Sequence, residues 1–329
     1  MKKSAILIIG GCGYIGTHMV KALLAAGHDV VTLDNLSKGN RDLLPGGAFV
    51  QGDINDSVVL EQVFASRRFD AVMHFSAFTE VGESVLDPQK YYLNNVAGTL
   101  NLLHAMRRHD VQRFIFSSSA AVYGEPDYTP IDEDHPCRPT NPYGRTKLMV
   151  EDILRDYDRA YGLRFIALRY FNAAGADASG AIGERHDPES HLIPLVLKVA
   201  TGEREDITIF GTDHNTPDGT CLRDYVHVND LAAAHLLALE ALQNNAPSAA
   251  YNLGNSTGHS VREVIETARR ITGHAIPAVE GPRRPGDPAV LVARSTKART
   301  ELGWQPKFET LEVIIASAWQ WHKSQARRR

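Results

Sequence analysis

The sequence predicts an α/β protein that contains a doubly wound parallel sheet and a second, smaller α/β domain. Short apolar segments alternate with amphipathic helical segments through the first half of the chain, which is typical of strand–helix–strand crossovers. Most of the apolar segments show no polar alternation, as expected for strands that are buried on both faces of a sheet. The length of 329 residues accommodates two domains.

The elements of the first half are predicted in order along the chain. Strands are expected at 5–10, 29–34, 48–53, 71–76, 113–119 and 165–172, and helices at 14–26, 57–66, 89–109 and 142–161. After Asn172 the alternation stops, and residues 173–190, rich in Gly, Ala, Asp and His, predict a loop. We expect one domain at 1–173 and another at 174–329, with the segment around 223–245 packing back on the first. The cleft between them is the expected ligand site.

Composition argues against several classes of partner and site. A formal net charge of −4 argues against nucleic acid, because phosphate binding normally needs a basic excess. No stretch approaches the roughly 18 apolar residues of a membrane span, so no membrane partner is expected. Three widely spaced cysteines fit a reducing compartment, and the expected location is the cytoplasm. The histidines form no recognised metal-ligand pattern, so no metal site is expected.

A glycine-rich turn after the first strand predicts a dinucleotide site. Gly10, Gly13 and Gly16 recur at spacings of three, where the strand passes into a helix. Glycine there permits a tight turn and a close approach of the backbone to a pyrophosphate, which a helix N-terminus favours. Asp34 ends the next strand, where a ribose-binding acid is expected, and its charge favours NAD over NADP. The pattern therefore predicts a Rossmann-type NAD site.

A tyrosine and a lysine one helical turn apart are the candidate catalytic pair. Tyr143 and Lys147 follow the fifth predicted strand, and Asn141 is a suitable N-cap for their helix. Free tyrosine is a poor base at neutral pH, but a lysine ammonium and the positive end of a helix favour the phenolate. Ser119, at the carboxyl end of the fifth strand, is placed to hydrogen-bond a reacting oxygen. The three residues predict removal of a hydroxyl proton as hydride leaves the same carbon.

Motifs along nearly the whole chain resemble the extended short-chain dehydrogenase/reductases, and most closely the UDP-galactose 4-epimerase family. Besides the glycine loop, they are DNLS (34–37), GDI (52–54), VGESV (81–85), NNVAGT (94–99), SSSAAVYG (117–124), NPYGRTK (141–147), LRYFNAAGA (168–176), HLIPLVL (191–197), FGTDHNTPDGTCLRDYVHVNDLA (210–232), YNLG (251–254) and RRPGD (283–287). The combination is far more specific than any one of these motifs.

The resemblance implies an isomerase that interconverts UDP-glucose and UDP-galactose with tightly held NAD. Tyr143 would remove the proton of the sugar 4-hydroxyl while hydride passes from C4 to NAD. The 4-keto sugar would rotate, and hydride would return to its other face. The resemblance also implies a homodimer formed through the helices at 89–109 and 142–161.

The resemblance further assigns residues to the two ligands. The implied NAD contacts are Gly10, Gly13, Tyr14, Ile15, Gly16, Asp34, Asn35, Asp53, Ile54, Phe75, Asn94, Lys147 and Tyr170. The implied UDP-sugar contacts are Ser119, Tyr143, Asn172, His191, Leu192, Phe210, Arg223, Arg284, Asp287 and Leu291. The residue types agree for Arg223 and Arg284, since guanidinium groups bind a pyrophosphate through paired hydrogen bonds.

Four positions depart from the family pattern. Ile9 stands where threonine is frequent, Thr79 where some members have lysine, and His191 where some have asparagine. Leu291 stands where tyrosine crowds the sugar pocket in some members and smaller residues admit N-acetylated sugars. Leucine is intermediate in size, so activity on UDP-N-acetylglucosamine and UDP-N-acetylgalactosamine is left open.

Other functions stay as alternatives. Epimerases of UDP-glucuronate or UDP-pentoses are the nearest alternatives, because the sequence does not show whether the pocket accepts a carboxylate or a sugar without C6. A nucleotide-sugar 4,6-dehydratase needs an acid beside Ser119, whereas Ala120 and Ala121 follow it and the next acid is Glu125. A non-catalytic NAD-sensing module has no need of the serine, the tyrosine and the lysine together.

Overall fold

The computed structural model describes residues 3–284 and 287–326 of the chain. In chain order its strands are β1 (Ala5–Ile9), β2 (Asp29–Asp34), β3 (Ala48–Gln51), β4 (Ala71–His74), β5 (Arg113–Ser119), β6 (Arg164–Tyr170), β7 (Asn172–Ala174), β8 (Ile207–Phe210), β9 (Leu222–His227), β10 (Ala249–Leu253), β11 (Gly258–Ser260), β12 (Ala278–Gly281) and β13 (Val290–Leu291).

The helices connect these strands. They are α1 (Tyr14–Ala25), α2 (Ser57–Ser66), α3 (Val81–Leu86), α4 (Pro88–Tyr91), α5 (Gly98–Arg108), α6 (Pro142–Tyr161), α7 (Leu192–Ala200), α8 (Val228–Gln243), α9 (Val261–Thr272), α10 (Thr296–Glu301) and α11 (Leu311–Ala326). Short 3-10 turns occupy Arg41–Leu43 and Ala120–Val122. Among the described residues, no helix combines the length and the apolar character that crossing a bilayer requires.

Seven parallel strands form the central sheet, in the order β3-β2-β1-β4-β5-β6-β10. The chain winds outward from β1 to β3, then crosses to β4 and continues in the opposite direction. This confirms the doubly wound fold predicted from the sequence. The order reverses between β1 and β4, so a crevice opens at the carboxyl ends of these two strands. In the neighbouring pair, Ser119 of β5 lies opposite Tyr170 of β6.

The sheet is buried on both faces, which explains why its strands show no polar alternation. Ile6 and Ile8 of β1 pack into the cluster that includes α1 and α8. Leu7 and Ile9 pack into the opposite cluster, formed with α2, α5 and α6. Successive residues of a strand point to opposite faces, so an apolar residue is required at every position.

Two elements of the second half complete this sheet. Strand β10 pairs with β6 along its whole length, from Ala249 opposite Ile166 to Leu253 opposite Tyr170. Helix α8 packs against α1 on one face, within the segment expected to return to the first domain. The division of the chain at residue 173 stays a prediction.

The rest of the second half forms smaller sheets with their own core. Strand β9 pairs with β7, β11 and β13, and β8 pairs with β12. Helices α7, α9 and α11 enclose a third cluster that includes Ile193, Val264 and Ile314. These elements place the second half beside the carboxyl ends of β5 and β6.

Two elements differ in detail from the sequence prediction. The helix expected at 89–109 runs through α4, a π-helical segment at Tyr92–Ala97 and α5. A π segment is a single wider turn with hydrogen bonds from residue i to i+5, and it is too short to be told apart from the surrounding α-helix by the apolar pattern. Within the expected loop, Ala173 and Ala174 belong to β7, because their pairing partner in β9 is distant in the chain.

Candidate active site

The glycine loop lies in the crevice and leaves no room for a side chain at Gly10 or Gly16. Gly10 has a φ of +79°, and a Cβ atom there would lie 2.6 Å from the Ser76 amide nitrogen. A Cβ atom on Gly16 would lie 2.2 Å from the carbonyl oxygen of Gly10. Helix α1 begins at Tyr14 with Gly13 as its N-cap, so no capping side chain covers the first amides. The loop therefore fits a pyrophosphate, as predicted.

Acidic and amide side chains line the edge of the crevice beside this loop. The Asp34 carboxylate accepts hydrogen bonds from the amides of Cys12 and Leu36, each at 2.8 Å. Burial raises the pKa of Asp34, and these two hydrogen bonds oppose the shift. The Asn35 amide donates to Asp53 at 2.7 Å. The chain thus holds Asp34 directly beside the glycine loop, where a ribose hydroxyl is expected.

Aromatic and amide side chains surround the other predicted NAD contacts. The ring of Phe75 lies 4.9 Å from that of His235, whose Nε2 is 2.5 Å from the Tyr170 hydroxyl. Ile54 is buried, and Ile15 packs against the core on the α1 face. These contacts fix the surroundings of the crevice, and the assignment of each residue to NAD stays a prediction.

Asn94 lies in the π-helical segment, next to the catalytic helix. Its side-chain amide donates to Asn95 Oδ1 at 2.9 Å. Asn95 in turn accepts from the Phe78 amide at 2.9 Å and donates to Thr146 Oγ1 at 3.1 Å. The wide turn therefore ties the loop after β4 to α6. Asn95 stands within the NNVAGT motif, and its positioning contacts were not foreseen.

Helix α6 presents the candidate catalytic pair at the ends of β5 and β6. The Asn141 side chain accepts from the Gly144 amide at 2.9 Å, and Pro142 is the first helical residue, as expected. Lys147 Nζ donates to the Ser117 carbonyl oxygen at 2.6 Å and lies 5.9 Å from the centre of the Tyr143 ring.

Burial governs the protonation of this pair. The Lys147 side chain is 3% exposed, and burial lowers the pKa of its ammonium group to about 7, with the Glu151 carboxylate acting in the opposite direction. Burial raises the pKa of Tyr143, and a hydrogen bond with the Ser119 hydroxyl opposes this shift. Ser119 and Tyr143 are thus adjacent, as the sequence predicted.

A buried ion pair supports the catalytic helix and was missed in the sequence. Glu151 accepts from Arg169 Nε at 3.0 Å and Nη2 at 2.6 Å, and from Ser118 Oγ at 2.6 Å. Arg169 also donates to the Tyr123 hydroxyl at 2.8 Å. Glu151 follows Lys147 by one helical turn, and this spacing is the only indication that the sequence offers.

Strand β9 gathers predicted substrate residues from three segments. Asn172 of β7 lies opposite Tyr225, and Leu291 of β13 lies opposite Arg223. Leu291 also packs against the buried cluster that contains Ala120, directly after Ser119. The residue predicted to gate the sugar pocket therefore lies close to the end of the strand that carries the catalytic serine.

The predicted pyrophosphate and uracil contacts lie together. Arg223 forms a hydrogen-bonded ion pair with Asp287, and its Nη1 donates to the Leu222 carbonyl oxygen at 2.7 Å. The guanidinium carbon of Arg284 lies 4.0 Å from the centre of the Phe210 ring. Pro285 and Gly286 of the RRPGD motif lie outside the described residues.

The remaining predicted contacts stand at the start of α7. Leu192 is its first residue and packs on the third core cluster. Nδ1 of His191 lies 2.5 Å from Glu184 Oε1. Although burial opposes it, the Glu184 carboxylate raises the pKa of His191. Protonated histidine is a suitable donor to a phosphate.

The chain is similar to known proteins both in family and in sequence. The model of the NAD dependent epimerase/dehydratase family matches residues 6–254. Over 319 residues the chain is 55% identical to the UDP-glucose 4-epimerase of Halalkalibacterium halodurans, and the match covers 97% of this chain and 96% of that protein.

Solved structures show the same relation. A crystal structure of a UDP-glucose 4-epimerase superposes with a TM-score of 0.96 at 52% identity, covering 98% of both chains. The UDP-glucose 4-epimerase of Bifidobacterium longum, in complex with NAD+ and UDP, superposes with a TM-score of 0.93 at 41% identity. That match covers 98% of this chain and 99% of the other.

Proposed function

This chain belongs to the NAD-dependent epimerase/dehydratase family, and we propose that it is a UDP-sugar 4-epimerase that interconverts UDP-glucose and UDP-galactose. The observation that carries the proposal is the meeting of Ser119, Tyr143 and Lys147 at the end of β5, beside an open glycine loop. The reaction is an isomerisation with no net oxidation.

The residues of this chain divide the chemistry between binding and proton transfer. The glycine loop and Asp34 would hold NAD, which would supply the acceptor and donor of the hydride exchanged at C4 of the sugar. The Tyr143 phenolate takes the proton of the sugar 4-hydroxyl, and the Tyr143 hydroxyl formed in this way returns the proton when the hydroxyl is restored. Ser119 Oγ holds the sugar oxygen in place. In its protonated form, Lys147 places a positive charge one helical turn from the tyrosine and favours the phenolate of Tyr143.

The nucleotide half of the substrate is assigned to the second part of the chain. Arg223 and Arg284 supply two guanidinium groups for the pyrophosphate, and Phe210 offers an aromatic face to the uracil. Asp287 holds Arg223 in place by their ion pair. A tightly bound diphosphate leaves the sugar ring free to turn about the bonds that join it to the phosphate.

A panel of UDP-sugars tests this proposal. Purified protein is incubated with UDP-glucose, UDP-galactose, UDP-glucuronate, UDP-xylose and the two N-acetylhexosamine derivatives, and the 4-epimers are separated by chromatography. We expect the highest kcat/KM for the glucose and galactose pair. A higher value for the uronate or pentose substrates would contradict the proposed substrate while preserving the reaction type.

Leu291→Tyr is expected to lower kcat/KM for UDP-N-acetylglucosamine by at least about tenfold, since a larger side chain crowds the N-acetyl group. The kcat/KM of this variant for UDP-glucose should differ from that of the unsubstituted protein by less than about threefold. The conservative Leu291→Met variant is the matched control for disturbing the packing against Ala120. If the ratio of the kcat/KM values for the two substrates were unchanged in Leu291→Tyr, this position would not gate the pocket.

The protein is proposed to be a homodimer joined through α4–α5 and α6. These helices and the adjoining α3 expose apolar side chains at Leu86, Leu93, Leu100, Met149 and Tyr161. Such a surface on one side of a molecule favours association. Sedimentation equilibrium should give the mass of two chains, whereas a monomer at micromolar concentration would contradict the proposal.

The cytoplasm is the proposed location. Cys12, Cys137 and Cys221 are free thiols, and a reducing compartment preserves thiols. Recovery of the native protein in a fraction other than the cytosol would contradict this location.

A further inference from the structure

Four side chains in the segment before α7 converge on one point. They are Glu184, His186, Glu189 and His191, and one ligand atom from each lies within 4.8 Å of the others. His186 Nδ1 lies 3.2 Å from Glu184 Oε1 and 3.8 Å from Glu189 Oε2. His191 Nδ1 lies 2.5 Å from Glu184 Oε1 and 3.6 Å from Glu189 Oε1. Two nitrogen and two oxygen ligands therefore face a common centre.

The side chains of the two carboxylates at this centre are almost completely buried. The side chain of Glu184 is 6% exposed and that of Glu189 is 3% exposed. Within residues 3–284 and 287–326, their ion-pair partners closer than 4 Å are His186 and His191 alone. Buried carboxylates require a compensating charge. Histidine supplies that charge when protonated, and against the effect of burial the two carboxylates raise the pKa of both His186 and His191. A divalent ion supplies the charge without a proton.

We propose that Glu184, His186, Glu189 and His191 form a structural zinc site. Imidazole nitrogen and carboxylate oxygen are both zinc ligands, at bond lengths of about 2.0–2.2 Å. A tetrahedral centre with these bonds places neighbouring ligand atoms about 3.3 Å apart. The distance from His186 Nδ1 to Glu184 Oε1 is 3.2 Å and that from His191 Nδ1 to Glu189 Oε1 is 3.6 Å. The 2.5 Å between His191 Nδ1 and Glu184 Oε1 must lengthen when the ion binds. Two carboxylates and two neutral imidazoles balance the charge of Zn2+. Four protein ligands close the coordination sphere, as in structural sites.

The site explains how the segment is held between two parts of the molecule. The Glu184 carbonyl oxygen accepts from Trp321 Nε1 of α11 at 2.8 Å. Arg185 exchanges hydrogen bonds with the Asn40 side chain at 2.9 and 3.0 Å, in the loop that follows Asp34. Zinc therefore crosslinks the segment that bridges α11 and the edge of the NAD crevice. Coordination through Nδ1 keeps Nε2 of His191 protonated and able to donate to a phosphate.

Access for the ion is also present. A cavity of about 310 Å³ opens beside three of the four ligands, Glu184, His186 and Glu189, and Trp321 also lines it. The spacing E-x-H-x-x-E-x-H within eight residues is the pattern that the sequence analysis did not weigh when it expected no metal. It differs from the metalloprotease pattern because the ligands lie on a loop and not on one helix face.

Metal content of the whole protein tests the proposal without reference to turnover. NAD-bound protein is stripped with a chelator, dialysed against Zn2+ and then against buffer, and analysed for metal. We expect about one zinc per chain, and Co2+ in its place should give the visible absorption of a tetrahedral centre with N and O ligands. Zinc at background level, or cobalt with only the spectrum of the hydrated ion, would overturn the proposal.

Ligand variants locate the ion. His186→Ala and the nearly isosteric Glu189→Gln should each raise the Kd for Zn2+ at least about 100-fold, measured by competition with a chelating dye. His109→Ala is the matched control, because His109 also pairs with a glutamate, Glu61, but has a single such partner. Retained NAD and an unchanged circular dichroism spectrum establish that the variants fold. Zinc that binds the two ligand variants as tightly as the control would place the ion elsewhere.

Discussion

Tyr143→Phe is expected to lower kcat for epimerisation by about 10³-fold, while the protein continues to bind NAD and UDP-sugar. The variant loses only the hydroxyl that exchanges a proton with the sugar, and its ring still packs at the end of β5. Ser119 lies next to that hydroxyl but lacks the neighbouring Lys147 ammonium that favours an anion. The measurement is kcat under saturating UDP-galactose, with NAD content determined on the same sample.

Tyr157→Phe is the matched control for this experiment. Tyr157 lies on the same helix, and its ring packs against that of Tyr161 instead of the site. Loss of the Tyr157 hydroxyl should leave kcat within about a factor of two of the value for the unsubstituted protein. If Tyr143→Phe retained a kcat near that of Tyr157→Phe, then another group would be the base, and the assignment of the Tyr143–Lys147 pair would fail.

Glu151→Ala is expected to lower the free energy of unfolding by about 3–5 kcal/mol. The change leaves the Arg169 guanidinium, only 3% exposed, without its carboxylate partner. It also removes the acceptor of the Ser118 hydroxyl. The loss is measured by urea unfolding of the holoprotein, followed by circular dichroism.

The neighbouring Asp152→Ala provides the comparison. Asp152 also forms an ion pair, with Arg155, but its side chain is 62% exposed, so its removal should cost less than about 1 kcal/mol. The double variant Glu151→Leu with Arg169→Met should recover part of the stability, because no uncompensated charge remains. Equal losses in Glu151→Ala and Asp152→Ala would show that the buried pair adds no stability of its own.

Local patterns predicted most of the first half of the fold. The glycine turn, the apolar strands and the helix that begins at Pro142 depend on neighbouring residues, and each was found within a few positions of its expected bounds. The membership of β10 in the central sheet is not a local property. Its residues read as one more short apolar strand, and only packing against β6 and α10 decides where they lie.

Local patterns predicted only part of the candidate site as well. Tyr143 and Lys147 were predicted together because their helical spacing places them on one face. Arg169, by contrast, interrupts an apolar strand, and its partner Glu151 belongs to the preceding helix. The meeting of Asn172, Arg223 and Leu291 around β9 depends on pairing between distant segments. A pattern within one sequence carries no information on such pairing. The assignment of these three residues to a common ligand came instead from the resemblance to a family.

The late arrival of β10 has a consequence for synthesis on the ribosome. When β6 emerges, its outer row of backbone amides and carbonyls has no neighbour, and the face of α1 that α8 covers is still bare. An open strand edge is a template for pairing with another chain. The nascent protein carries that edge through the synthesis of the entire intervening segment, so the interval before Leu253 leaves the exit tunnel is when chaperone protection matters most.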